Sequence, residues 1–247
     1  YDLGSLGRDY LGKGKNEAVL NETAKEWGID PKSEMYKLPA MYVGEYAEQD
    51  ADLTLKLWQE MKKLMRAEEV ESIFDVETEL FPCLVDMRFL GVRVDIQEAH
   101  SLKQKLVQEE KECLLQVQRE TGIEPQIWAA RSIEKVFQKL SLPFDRTEKT
   151  GAPSFTKNFL QNHPHKLVKL IARAREINKA HTTFIDTIIK YEHKGRIHAE
   201  INQLRSDQGG TVTGRFSYAN PNLQQIPARN KELGPRIRSL FIPEEGM

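Results

Sequence analysis

Between Thr211 and Arg229 the chain reads Thr-Val-Thr-Gly-Arg-Phe-Ser-Tyr-Ala-Asn-Pro-Asn-Leu-Gln-Gln-Ile-Pro-Ala-Arg. A Gly-Arg turn, the amides of Asn222, Gln224 and Gln225 and a second arginine fall close together in a stretch too polar for a core. A guanidinium presents a planar fork that matches phosphate oxygens, while Asn and Gln side chains can reach sugars and minor-groove base edges. A surface loop built on Asn-Pro turns has the same composition, and the residues alone leave the two readings level. Two shorter pairs stand upstream. Arg175 and Lys179 are four residues apart, as are Tyr46 and Asp50. On a helix each pair shares a face, so two cations could approach one phosphate stretch, and a phenol would lie beside a carboxylate. A solvated helix face produces the same spacings.

Helices must position these groups. Tyr42–Arg66 has Leu53, Leu57, Leu64, Trp58 and Met61 at three- and four-residue steps and predicts a helix carrying Tyr46 and Asp50. A second helix is expected over Glu71–Phe89, with Ile73, Val76, Leu80, Leu84 and Met87 on one face, kinked at Pro82 and ended by Gly91. Val92-Arg93-Val94 alternates like a short strand. Asp95 then caps a long amphipathic helix, Ile96–Thr121, that Gly122 stops. A shorter helix follows over Ile127–Leu140, and residues 143–153 read as a mobile, basic loop. Lys166–Tyr191 forms a further helix bearing Arg175 and Lys179, and residues 195–201 read as strand. Seven glycines and prolines break Tyr1–Pro39 into short helices and turns. The fold class predicted is mainly α with a small β component.

Composition narrows the function classes. With 39% hydrophobic and 30% charged residues in 247, the chain describes a helix-rich globular protein. No run approaches the roughly eighteen apolar residues of a membrane span, and neither a membrane partner nor a signal peptide is expected. Net charge is −1, but unevenly spread: Lys166–Met247 holds 14 Lys/Arg against 8 Asp/Glu. A basic C-terminal third is the footprint of a phosphate-binding surface, and of ordinary surface charge as well. Cys83 and Cys113, both among apolar residues, are expected as small buried hydrophobes rather than a disulfide or zinc ligands.

The C-terminal block resembles the family-A, DNA polymerase I-like motif T-x-T-G-R, a short variable stretch, then P-N-L-Q-N-I-P and an arginine. Gly234-Pro-Arg236-Ile-Arg238-Ser-Leu-Phe241-Ile-Pro resembles its continuation, G-x-R-I-R-x-x-F-x-P. Phe216-Ser217-Tyr218 stands where many bacterial members have Leu-Ser-Ser, and Gln225 replaces the commoner Asn, as in phage-type members. Arg175 and Lys179 resemble the R-x-x-x-K pair after the thumb helices, and Leu90–Asp95 the turn opening the polymerase domain. Ala129–Lys135 is the weaker counterpart of the thumb-tip Ser-Ser-x-Lys-x-Leu. Tyr46-Ala-Glu-Gln-Asp50 resembles the Tyr-x-x-x-Asp motif of DEDD-type 3′–5′ proofreading exonucleases, and Tyr1–Gly12 the stretch preceding it.

The resemblance implies an exonuclease C-terminal part over residues 1–68, and over residues 69–247 the N-terminal part of a polymerase domain, its thumb and palm entry. It implies that Arg175, Lys179, Thr213, Arg215, Asn222, Gln224, Gln225, Arg229 and Arg236 contact primer-template DNA. Tyr46 would orient a water and Asp50 would be a metal-binding carboxylate. The expected activity is DNA-directed DNA synthesis using dNTPs and two Mg2+ ions in a bacterial cytoplasm or phage-infected cell. The family's other exonuclease carboxylates would precede Tyr1, and its palm carboxylates would follow Met247. Neither reaction is therefore expected of these residues alone. A non-catalytic DNA-binding subunit of a split polymerase, docking to a separate palm and fingers chain, is the alternative. A processivity factor is a further partner class, and a helical protein with no nucleic-acid role is the remaining option.

Overall fold

The computed structural model of the chain describes residues 2–205, 209–244 and 246. They divide into two compact units, the first holding residues up to Val85 together with Arg205, the second running from Asp86 to Leu204 and resuming at Gly209. Among the described residues the fold is mainly helical with three small antiparallel sheets.

In the first unit α1 (Leu3–Leu11) and α2 (Ala18–Glu26) pack on α3 (Ala40–Ala67). Asp2 caps α1 by accepting from the Ser5 amide at 2.9 Å, and Gly12 ends it in the left-handed region at φ 67°. Leu20, Ala24, Leu38, Leu53 and Leu57 are buried. α4 (Glu71–Leu90) contains Pro82 within its length. Its expected apolar face does not form a core stripe: Leu84 is buried, whereas Ile73, Val76 and Met87 are exposed. Cys83 is exposed too, against the expectation of burial, while Cys113 is half-buried, and both are free thiols. Tyr1 of the segment resembling the exonuclease approach lies outside the described residues.

The second unit is organised by one long helix. After β1 (Val92–Arg93), Asp95 caps α5 (Ile96–Thr121) by accepting from the Glu98 amide at 2.9 Å. Gly122, at φ 74°, ends it. At 1.5 Å per residue α5 is about 39 Å long, enough to serve two cores. Near its start Ala99, Leu102 and Leu106 join one cluster, and Val117 near its end joins the other. Its principal partner is α8 (Lys166–Lys179), which continues through a π-helical segment, Ala180–Ile185, into α9 (Asp186–Tyr191).

The distal core gathers Ile133, Val136 and Phe137 of α6 (Ala130–Lys139), Leu160 of α7 (Lys157–Asn162), and Leu167, Val168 and Ile171 of α8. Phe137 is its centre, with the rings of Phe144, Phe155 and Phe159 at 6.1, 4.8 and 5.9 Å. Residues 143–153, expected as a loop, contribute instead to a hairpin of β2 (Asp145–Arg146) and β3 (Pro153–Ser154). Arg146 ties its turn down by donating to Gly151 O at 2.9 Å and to Glu134 at 2.7 Å.

The proximal core joins α5, α8 and α9 to the chain's last elements. β4 (Glu192–His193) and β1 flank β5 (Arg196–Ile197), while β6 (Glu200–Asn202) pairs with β7 (Ser217–Ala219). α10 (Leu233–Arg238) buries Leu233 and Ile237 there beside Leu240. No helix among the described residues is long and apolar enough to cross a membrane.

Candidate nucleic-acid interface

Hydrogen bonds among its own residues shape the polar block. Within it the β6–β7 ladder sets Ile201 opposite Tyr218. Thr211 Oγ1 donates to Arg215 O at 2.7 Å, and Thr213 Oγ1 lies 3.3 Å from Thr211 Oγ1, closing a turn in which Gly214 takes φ 70°. Asn222 Oδ1 accepts from the Gln224 amide at 3.1 Å and starts a single 3-10 turn, Leu223–Gln225. Gln224 Nε2 donates back to Phe216 O at 3.0 Å. Tyr191 OH donates to Asn220 Oδ1 at 3.1 Å, anchoring the block to α9. Thr213, Asn222 and Gln224 thus shape the segment, each keeping further hydrogen-bonding capacity.

Arg215 and Arg229 differ from their neighbours. Both are exposed, and neither guanidinium has a hydrogen-bond or ion-pair partner among the described residues. Gln225 is exposed as well, at a recess of about 130 Å³ lined by Thr183, Phe184 and Asn222. Lys179 on α8 is likewise exposed.

Arg175 and Arg236 engage protein groups instead. Arg175 Nε donates to Ile127 O at 2.6 Å and its Nη1 to Phe155 O at 2.7 Å, with the guanidinium 5.4 Å from the Trp128 ring centre. Burial pulls its pKa below the ordinary arginine value. Arg236 forms a fork to Glu109 on α5, at 2.7 and 3.2 Å. That hydrogen bond raises Arg236 and holds Glu109 below the usual carboxylate range. Arg173 lies 3.7 Å from the same Glu109 and hydrogen-bonds Glu232. Sequence spacing showed none of this, because the partners lie far away along the chain.

The first unit contains the other candidate pair. Tyr46 and Asp50 lie one turn apart on α3, and Lys15 from the α1–α2 loop reaches both. Its ammonium donates to Asp50 Oδ2 at 2.7 Å and to Tyr46 OH at 3.2 Å, and lies 5.1 Å from the Tyr46 ring centre. Burial opposes the Lys15 charge, yet the bonds to Asp50 and Tyr46 outweigh it and raise the pKa above the ordinary lysine value. Asp50 Oδ1 is buried with no hydrogen-bond partner among the described residues. A buried carboxylate oxygen left bare fits a divalent cation as one ligand. Among the described residues, however, no three His, Cys, Asp or Glu gather as a metal-holding group. Lys15 was missed in the sequence, although its Gly-Lys-Gly-Lys setting marks a turn.

Comparison with known proteins gives these features a setting. The family model described as DNA polymerase family A matches residues 96–247. A DNA-directed DNA polymerase of Pseudomonas phage M6 is 32% identical over 256 residues, covering 100% of this chain and 38% of that protein. DNA polymerase DpoZ of Acinetobacter phage SH-Ab 15497 is 31% identical, with 100% and 43% covered. The thermostable DNA polymerase I of Thermus filiformis is 34% identical, with 83% and 25% covered. The chain therefore spans less than half the length of these relatives. Among solved structures, the POL domain of Pol1 from M. smegmatis, in complex with DNA primer-template and dNTP, resembles it with a TM-score of 0.72 at 22% identity. That match covers 100% of this chain and 39% of the other and is a likeness of fold.

Proposed function

The chain belongs to DNA polymerase family A, and from that membership we propose that the whole protein is a DNA-directed DNA polymerase acting on primer-template DNA and dNTPs. Residues 69–247 hold the duplex as the thumb and palm entry, so their part is binding rather than bond making. The observation that carries this reading is the state of Arg215 and Arg229: exposed guanidinium groups without a partner among the described residues, on a frame fixed by its own turns. Arginines without an internal partner retain their full capacity for phosphate oxygens. Lys179 and Gln225 add to the same surface, while Thr213, Asn222 and Gln224 set its shape and offer their remaining polar atoms. Arg175 and Arg236 brace the elements that present it, and contact DNA through whatever donors their protein partners leave.

Residues 1–68 form the C-terminal part of a 3′–5′ exonuclease domain. There Asp50 is one of several carboxylates for a pair of Mg2+ ions, and Tyr46 orients the attacking water. When bound, those ions would supply Lewis-acid activation of water and phosphate. Both activities belong in the cytoplasm of a bacterium or of a phage-infected host.

A fluorescent primer-template titrated with this chain tests the binding role. Arg215→Ala and Arg229→Ala should each weaken the complex while leaving the far-UV circular dichroism unchanged. Wild-type affinity in both variants would refute the assignment.

A further inference from the structure

The Lys15 contacts demand a cause beyond surface pairing. An exposed lysine–carboxylate pair is worth little and needs no dedicated scaffold. Lys15 and Asp50 are instead three-quarters or more buried, with side-chain exposures of 21% and 25%, and the ammonium makes two hydrogen bonds and a ring contact at once.

The loop that delivers it is tightly specified. Lys13 N donates to Gly7 O at 3.1 Å. A Cβ on Gly7 would fall 2.4 Å from Lys13 O and 3.0 Å from the Leu53 side chain, so only glycine lets the loop lie this close to α1 and α3. Asn16 N donates to Gln49 Oε1 at 2.9 Å, pinning the loop to α3 beside Asp50. Lys15 is thus clamped on both sides and laid over a phenol and a carboxylate one helical turn apart.

Its effect on Asp50 is asymmetric. Oδ2 is taken by the ammonium, while Oδ1 is buried and has no partner among the described residues. A carboxylate fixed through one oxygen cannot rotate freely, and its other oxygen keeps one direction. Hydrogen bonds to ligating carboxylates do this at metal sites in general.

We propose that Lys15 is a positioning residue for the exonuclease, holding Asp50 and Tyr46 in register so that Asp50 Oδ1 faces a divalent cation. This rests on the exonuclease reading of Tyr46 and Asp50 given above. Lys15 touches neither the DNA nor the reacting atoms in this role. It acts through Asp50 and Tyr46.

The test uses the full-length polymerase, with Mn2+ as the probe ion. Free Mn2+ is followed by electron paramagnetic resonance in the absence of DNA, and degradation of a single-stranded 3′ end is measured in parallel. The exonuclease ion is the binding lost in Asp50→Asn. Lys15→Met should weaken that binding and slow degradation by about 10- to 100-fold, the usual cost of removing an outer-shell partner. Lys15→Arg, which keeps a cation in reach, should recover most of both. Unchanged Mn2+ binding in Lys15→Met would overturn the proposal. Tighter binding would overturn it as well, since Lys15 would then be competing with the metal. If Asp50→Asn itself loses neither Mn2+ nor degradation, the exonuclease reading falls and this inference with it. If Asp50→Asn loses both while Lys15→Met loses neither, the role of Lys15 alone falls.

Discussion

The two candidate regions solve opposite problems with the same kind of charge. At Tyr46–Asp50 a lysine is drawn inward onto an acid and a phenol, and its ammonium is occupied by the protein. At the C-terminal block Arg215 and Arg229 are exposed and have no internal partner among the described residues. Within the second unit the contrast recurs among the arginines themselves. Arg175 and Arg236 share the block's charge and its resemblance to polymerase motifs, yet each is locked onto protein oxygens. A cation's sign does not reveal whether it holds the fold or awaits a ligand. Its partners do.

That contrast breaks most easily at Arg175. Replacing it with Ala leaves Ile127 O and Phe155 O without their charged donor and removes the group covering Trp128. At about 1.5–3 kcal/mol per charged hydrogen bond, partly recovered by water, a loss of roughly 3 kcal/mol is expected in urea unfolding of the chain. Arg175→Lys should recover little of it, because a point charge cannot span both carbonyls. A loss below about 0.5 kcal/mol, the range of an ordinary surface site, would move Arg175 to the outward class.

Arg236 should show a smaller effect with a pH signature. Glu109 is held below its ordinary value by Arg236, so its contribution is present above the normal glutamate range and fades as pH falls through the depressed folded value. Arg236→Ala should therefore be less stable than wild type near neutral pH, with the difference shrinking in acid. A constant difference across that range would show that Glu109 is not the relevant partner.

The two thiols sharpen the packing side with the least perturbation. Burial pushes the Cys113 thiol up, whereas Cys83 is exposed on α4. Iodoacetamide at neutral pH should label Cys83 first and Cys113 only slowly, because the thiolate is the nucleophile. Equal rates would contradict the burial of Cys113.

Much of this architecture is legible in the residues. Asp95 and Gly122 bracket α5 at the predicted places, because a capping carboxylate and a left-handed glycine act locally. Lys166–Tyr191 is helical throughout, although its π-helical segment has no signature in the apolar spacing. Long-range features are where reading fails. The β2–β3 hairpin lacks an alternating pattern and is held by Arg146 reaching Glu134. The apolar positions of α4 have helical spacing but do not form a buried stripe, so periodicity identified the helix and not its burial. At the sites, motif resemblance picked out Tyr46, Asp50 and the arginines. It could not show that Lys15 sits 35 residues from Asp50 in sequence and 2.7 Å away in space. Nor could it separate Arg215 from Arg236, whose partner Glu109 lies on another helix.

The most direct test of the duplex-holding role is the salt dependence of primer-template binding by this chain. Each phosphate contact contributes about 0.9 to the slope of log K against log salt. The Arg215→Ala/Arg229→Ala double variant should lower that slope by about two, with its unfolding curve unchanged. A slope equal to wild type would show that neither arginine meets a phosphate, and would contradict the assignment of this surface to DNA.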